Sequence, residues 1–389
     1  MDYLVIDCET STFQKGNAYS KRNKLCLVGI KTSDKSDYCF DIEYSDHNYA
    51  GHIAVIQEII NDAKTLVLFN AKFDLAWLLR YGIDFSHCRI WDCQLVHFIL
   101  SGQQAVFPSL NQVAECHQLG TKLDIVKEEY WNKGLDTTEV PIEILTDYLV
   151  QDLSLTEQVY LKQVELVASA PLSLQRLISL SNQDLLVLLE MENNGIKMNF
   201  QGMIYASSTT NEQILTIKEN LNDFFRDAPD YCLDYNSGDN LSTLLFGGKI
   251  IEPVRTVIGV YKTGAKIGQD RYRVSLVEHV LPRRFEPPRG SNLKKEGFFA
   301  TNEATLRSIK VQKESRVILN QLIELSKLEK LNNTYYDGFR TLHETKDWER
   351  DYIYGQFNQV VARTGRLSSS APNLQNLPPE MDNLIETRF

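Results

Sequence analysis

The chain lacks any apolar run long enough to span a bilayer, and it lacks the basic, then apolar, then small-residue pattern of a secretory leader. Met1-Asp2-Tyr3-Leu4-Val5-Ile6 reads instead as a strand that begins at once. The expected location is therefore a cytoplasm. Paired cysteines are also missing. The seven cysteines are odd in number and show neither CxxC pairs nor the spacing of a disulfide framework. His87, Cys88, Cys93 and His97 allow a zinc site, but small buried thiols in a reducing compartment are the expectation. Repeats and low-complexity tracts are absent too. Nor is there an excess of positive charge: the formal net charge is −10. That does not exclude a nucleic-acid partner, because phosphate binding needs a local basic surface rather than a basic total.

What is present is the composition of a globular enzyme, 43% hydrophobic and 24% charged over 389 residues. That length suggests roughly two or three domains. Residues 1–170 read as mixed α/β, with strands at Leu4–Asp7, Leu25–Ile30 and Thr65–Phe69 and helices at Ile53–Asn61, Asp74–Tyr81 and Asp147–Val167. Pro171 breaks the last of these. Ser173 is a plausible cap for an amphipathic helix over Leu174–Asn193 that stops at Asn193-Asn194-Gly195. Helical patterns continue to about Phe225 and return at Asn302–Ile309 and Ser315–Tyr336. Between them, residues 247–300 are rich in glycine, proline and basic side chains, among them Lys262, Lys266, Arg271, Arg273, Arg283 and Arg284. This segment reads equally as a phosphate-facing insertion or as a solvated loop.

Three separated groups of acids carry the chemistry. Asp7 and Glu9 end the first strand, where positions i and i+2 share a face and Cys8 points the other way. Asp74 follows Asn70-Ala71-Lys72-Phe73 where a buried strand turns into a helix, at the strand end where open α/β sheets bind ligands. Tyr148 and Asp152 stand one helical turn apart on one face. Singly, each pattern also suits solvated acids, a helix cap or an ordinary half-buried tyrosine.

Taken together and in this order, they resemble exonuclease motifs I, II and III of the DnaQ-like superfamily in its tyrosine-bearing branch. Residues 1–170 resemble the proofreading domain of family-A DNA polymerases. The resemblance implies an RNase H-like mixed sheet flanked by helices and a 3′–5′ exonuclease. Asp7, Glu9, Asp74 and Asp152 would bind two Mg²⁺ or Mn²⁺ ions, and Tyr148 would stand beside the attacking water. Carboxylates without thiolates suit such hard cations. Thr10, Phe13, Asn70 and Phe73 would contact the 3′-terminal nucleotide.

Further along, Arg363-Thr364-Gly365-Arg366-Leu367-Ser368-Ser369-Ser370 and Ala371-Pro372-Asn373-Leu374-Gln375-Asn376-Leu377-Pro378 resemble the segment that enters the palm of family-A DNA polymerases. Leu185–Gly195 and Lys327–Tyr335 look like the first and last thumb helices. The implied organisation is an exonuclease domain over 1–170, a mainly helical thumb-like region over 171–350 carrying the basic insertion, and an incomplete palm over 351–389. Lys327, Thr364, Arg366, Ser368, Ser369, Asn373, Gln375 and Asn376 would touch primer–template duplex. The family's two palm aspartates and its fingers helix have no counterpart here, so no polymerisation by this chain alone is expected. The start at the exonuclease is the layout of phage replicative polymerases, and the chain reads either as one half of a split polymerase, with a second chain carrying palm and fingers as its partner, or as a truncated piece of one. Two other readings stay open: an RNase D-like enzyme acting on RNA, and a non-catalytic half that binds DNA and a missing palm.

Overall fold

A computed structural model describes residues 1–45, 49–122, 124–264 and 266–386. Thr387, Arg388 and Phe389, the end of the expected palm segment, lie outside the described residues. The chain forms two compact units. One comprises Met1–Phe200 with Phe339–Phe389, and the other Gln201–Gly338. The division follows packing rather than the breaks at 170 and 350 expected from sequence.

The first unit is built on a five-stranded sheet. Its strands are β1 (Leu4–Thr10), β2 (Leu25–Thr32), β3 (Asp37–Asp41), β4 (Thr65–Leu68) and β5 (Arg89–Asp92), in the order β3-β2-β1-β4-β5. The first three run antiparallel, and β4 and β5 add in parallel to β1. Parallel strands need covering on both faces, and helices supply it. They are α1 (Ala50–Asn61), α2 (Ala71–Arg80), α3 (Cys93–Leu100), α4 (Leu110–Cys116), α5 (Ile125–Glu129), α6 (Ile142–Ser169) and α7 (Leu172–Asn194).

Strand periodicity decides which side of β1 does what. Leu4, Ile6 and Cys8 enter the core shared with α2 and α7, whereas Val5 packs with Leu153 and Val159 of α6. Asp7 and Glu9, on the parity of Val5, therefore face the α6 side. Gly29 of β2 pairs with Asp7, and a Cβ there would stand 2.8 Å from Leu149 and 2.9 Å from Leu153. The missing side chain lets α6 lie close on the sheet beside the acids.

The α7 helix begins at Leu172 with Pro171 as its N-cap, so Ser173 lies inside the helix and is not the cap. It ends at Gly195, whose φ of 59° suits a residue without a Cβ. Ile178, Leu185 and Leu189 on its inner face join the core of the sheet. After α7 come β6 (Ile196–Met198) and α8 (Phe200–Phe224).

The second unit packs α8 with α9 (Gly238–Phe246), α10 (Glu303–Ser308) and α11 (Lys313–Lys330) around Leu221, Phe225, Leu244, Phe246 and Leu319. The first part of the basic segment forms a long antiparallel hairpin, β7 (Gly248–Val260) with β8 (Asp270–Leu281), and residues 282–300 are mostly irregular. Ile250 and Leu281 anchor its base in the core, and Val257, Tyr272, Val274 and Leu276 further out are exposed.

The chain continues through the π-helical turn Leu331–Tyr336 into α12 (Asp337–Lys346), followed by β9 (Tyr352–Ile353), β10 (Gln356–Asn358), β11 (Ser368–Ser370) and β12 (Ile385–Glu386). In the first unit, β12 and β9 flank β6, and β10 pairs with β11.

The four histidine and cysteine residues that allowed a zinc site do not converge. Cys88 contacts His87, Cys93 faces the Thr156 carbonyl, and His97 is paired instead with His117 at 3.3 Å. All seven cysteines are free thiols; five are buried, while Cys39 and Cys116 are exposed. Among the described residues no helix is long and apolar enough to cross a membrane.

Candidate active site

The end of β1 brings Asp7 and Glu9 to the helix face that carries Asp152. One carboxylate oxygen from each lies within 4.8 Å of the other two, the only such metal-competent group of acids among the described residues. Three carboxylates so close, with little water around them, disfavour one another's charge. Burial first, and then the charge of Asp152, push Asp7 up to about 8. Burial and the charges of Asp7 and Asp152 hold Glu9 well above the carboxylate range. Burial lifts Asp152 to about 6, against the pull of Lys122. Crowding of this kind is relieved by cations, and the all-oxygen donor set suits a hard divalent ion.

Asp74 stands one step behind this group. Buried in the first turn of α2, it neither caps nor begins that helix: its Oδ1 accepts the backbone N–H of Cys8 at 3.0 Å. Burial and the charge of Asp7 raise it well above its ordinary value. The turn before it is held by a residue that the sequence did not single out. Asp92, at the end of β5, accepts the backbone N–H groups of Asn70 and Ala71 at 3.1 and 3.0 Å and also caps α3 through Gln94 and Leu95. Asn70 is thereby kept in the left-handed region, at φ 64°, which asparagine tolerates better than most residues.

Tyr148, one turn before Asp152, packs edge-on against Trp131 with centroids 5.9 Å apart. Burial, followed by the charge of Asp152, keeps its phenol protonated. Lys122 completes the site. Its ammonium is ion-paired with Asp152 and lies over the Tyr148 ring, 3.6 Å from the centroid. A lone lysine between two glycine- and acid-flanked turns gives no periodic signal, so sequence reasoning passed over it. It similarly missed Asp136, which accepts both the N–H and the hydroxyl of Thr12, at 2.7 and 2.8 Å, beside the first motif.

The residues expected to meet a terminal nucleotide are disposed unequally. Thr10 is buried, its hydroxyl donating to the Ser11 carbonyl. Phe73 is half-buried against the core. Phe13 is half-exposed, with the Arg22 guanidinium 4.8 Å above its ring.

In the palm-like segment Thr364, Arg366, Gln375 and Asn376 are exposed and Ser368 is half-buried. Ser369 is turned inward, accepting from the Leu374 N–H and donating to the Pro372 carbonyl. The Asn373 side chain accepts from the Gln375 N–H. Lys327, in the second unit, is paired with Glu303 at 3.0 Å.

On the hairpin, Lys262, Lys266, Arg271 and Arg273 are exposed. Arg283 and Arg284 are not free: Arg283 bonds Glu286 and the Phe246 carbonyl, and Arg284 pairs with Asp227 at 2.5 Å over the Phe225 ring.

Residues 1–166 match the family described as 3′-5′ exonuclease, and residues 275–388 match DNA polymerase family A. The chain joins a 3′–5′ exonuclease domain to part of a family A DNA polymerase domain. DNA polymerase I of Synechocystis sp. is 26% identical to this chain over 317 residues, which is 81% of the chain and 27% of that protein. The thermostable DNA polymerase I of Thermus thermophilus is 35% identical over 102 residues, 26% of the chain and 12% of that protein. The chain thus spans about a quarter of the length of the first of these relatives. Its fold is similar to that of the POL domain of Pol1 from M. smegmatis, solved with DNA primer-template and dNTP. The TM-score is 0.63 at 18% identity, covering 97% of this chain and 52% of that one. Exonuclease domains of DNA polymerases generally use divalent metal ions, and Asp7, Glu9 and Asp152 form a cluster suited to one.

Proposed function

We propose that the family A exonuclease domain described here removes nucleotides from the 3′ end of DNA, with Mg²⁺ or Mn²⁺ as cofactor and two ions in the working site. The carrying observation is the approach of Asp7, Glu9 and Asp152 to within 4.8 Å, with Asp74 tied directly behind them. In this reading Asp7, Glu9 and Asp152 hold the first ion, and Asp7 and Asp74 serve the second. Divalent ions bound there supply hydroxide at neutral pH and stabilise the leaving 3′ oxygen. The protonated Tyr148 orients the attacking water as a hydrogen-bond donor. Phe13 stacks on the terminal base, and Thr10, Asn70 and Phe73 shape the pocket around it.

The palm-like segment is read as a duplex contact. Arg366 reaches minor-groove acceptors that every base pair presents, and Thr364, Ser368, Asn373, Gln375 and Asn376 offer polar groups to phosphate and sugar. Lys327 and the exposed hairpin cations Lys262, Lys266, Arg271 and Arg273 add phosphate contacts. A cytoplasmic site of action fits a DNA-processing role.

Degradation of 3′-labelled single-stranded DNA with Mg²⁺, wild type against Asp7→Ala, tests the reading. A loss of at least about a hundredfold is expected. Equal rates reject the catalytic assignment, and faster cleavage of RNA than DNA favours the RNase D-like alternative.

A further inference from the structure

The acid cluster already contains a cation belonging to the chain. The Lys122 ammonium straddles both carboxylate oxygens of Asp152 and lies 3.8 Å from Asp124. It covers the face of the Tyr148 ring, and only 8% of its side chain reaches solvent. Its charge also opposes the mutual repulsion felt at Asp7 and Glu9.

The backbone presents this lysine deliberately. The Lys122 N–H donates to Asn111 Oδ1 and the Lys122 carbonyl accepts from Asn111 Nδ2, both at 3.1 Å. Asn111 lies in the first turn of α4, whose start is fixed by a reciprocal cap between Ser109 and Gln112. A two-point clamp on a capped helix therefore aims the ammonium at the acids from a stationary base.

An ammonium and a divalent ion make the same demand on Asp152. We propose that Lys122 is a tethered internal counter-ion: it fills the cation position of the metal-free site and must withdraw from Asp152 for a divalent metal to bind. Lys122 thereby sets the metal affinity of the site. The inference rests on the reading of Asp7, Glu9 and Asp152 as metal ligands. When a protein's own lysine blocks its acids most of the time, the apparent affinity falls by the fraction of time that the acids are free. The tether gives the displaced ammonium a high local concentration, so it returns when the metal leaves.

The test is Mn²⁺ binding to the chelator-treated full chain, followed by the electron paramagnetic resonance of the free ion. Lys122→Met keeps the length of the side chain and removes its charge. It should tighten Mn²⁺ binding roughly tenfold, the gain for a site previously free about a tenth of the time. Its metal-free form should melt at a lower temperature than wild type and gain more on adding Mn²⁺. Unchanged or weaker binding overturns the proposal. Asn111→Ala, which releases the clamp but keeps the charge, should tighten binding by a smaller factor. If Lys122→Met fails to fold, this second variant decides, and unchanged affinity in it counts against the idea. Should wild type bind Mn²⁺ and degrade DNA while neither variant binds more tightly, only the counter-ion proposal falls. Absence of Mn²⁺ binding and of hydrolysis in wild type and variants alike removes the nuclease reading with it.

Discussion

Asp74 Oδ1 accepts the backbone N–H of Cys8 at 3.0 Å, so the second motif grips the strand between the two acids of the first. Charge and geometry can be separated here. Asp74→Asn keeps an oxygen for Cys8 and should retain the thermal midpoint while losing most 3′ hydrolysis. Asp74→Ala leaves a buried N–H unpaired and should lose about 1–3 kcal/mol of stability as well. Urea unfolding beside a single-strand degradation assay checks both; full activity in the asparagine variant would contradict the role in metal binding.

Gly29 faces the same site from the neighbouring strand. A methyl group there would meet Leu149 at 2.8 Å and push α6, with Tyr148 and Asp152, off the sheet. Gly29→Ala should therefore cost about 1–3 kcal/mol by overpacking and depress nuclease activity more than the stability loss accounts for. Measuring kcat at a temperature where the variant stays folded distinguishes displacement from unfolding, and a wild-type kcat would show that α6 need not sit so close.

The raised acids predict an unusual pH dependence for the metal-free protein. Asp7 holds its proton up to about 8 in the folded chain, against an ordinary value of 3.8, and Glu9 and Asp74 are shifted in the same direction. Across that interval these acids bind more protons in the folded state than in the unfolded state, so their contribution to stability falls as pH rises. His97 and His117, held below their ordinary value by burial, work the other way in mildly acidic solution. Asp136, held below its ordinary value, also opposes the fall but only in more acidic solution. With chelator present, the urea midpoint should drop between about pH 5 and about pH 8, and Asp7→Asn should flatten the drop. A midpoint that climbs over this range would be inconsistent with the crowding described.

Charge removal on the hairpin should have two distinct outcomes. Replacing Lys262, Lys266, Arg271 and Arg273 with alanine should weaken duplex binding and flatten its salt dependence, by about 0.9 in the logarithmic slope for each lost phosphate contact. Replacing Arg283 and Arg284 should leave that slope alone and lower the thermal midpoint instead, because these two are tied to Glu286, Phe246, Asp227 and Phe225. An unchanged slope in the first variant rejects the phosphate contacts.

The parts of the fold legible in the sequence were those fixed by local periodicity. The two-residue repeat of β1 forces Asp7 and Glu9 onto one side, and the four-residue step places Tyr148 above Asp152. The helix before Gly195 was equally plain. Residues 247–300 were not, because a hairpin exposed on both sides loses the alternation that marks a half-buried strand, leaving glycine, proline and charge to suggest a loop. Ser173 misled because Pro171 already sets the turn at which α7 begins. Lys122 and the grip of Asp92 on Asn70 and Ala71 were hidden for another reason: these partners lie about 20–30 positions away, and no spacing rule reaches that far.

Glu192, near the end of α7, accepts from the Lys72 ammonium and from the N–H of Phe357. One carboxylate thus serves the exonuclease motif and the polymerase-like segment together, although 285 residues separate Lys72 from Phe357. A fragment cut at residue 170 would strand that lysine without its counter-charge and strip Ile178, Leu185 and Leu189 from the core. Excising the nuclease as an independent module should accordingly yield a poorly soluble product, and the smallest autonomous piece must carry the helix through Gly195.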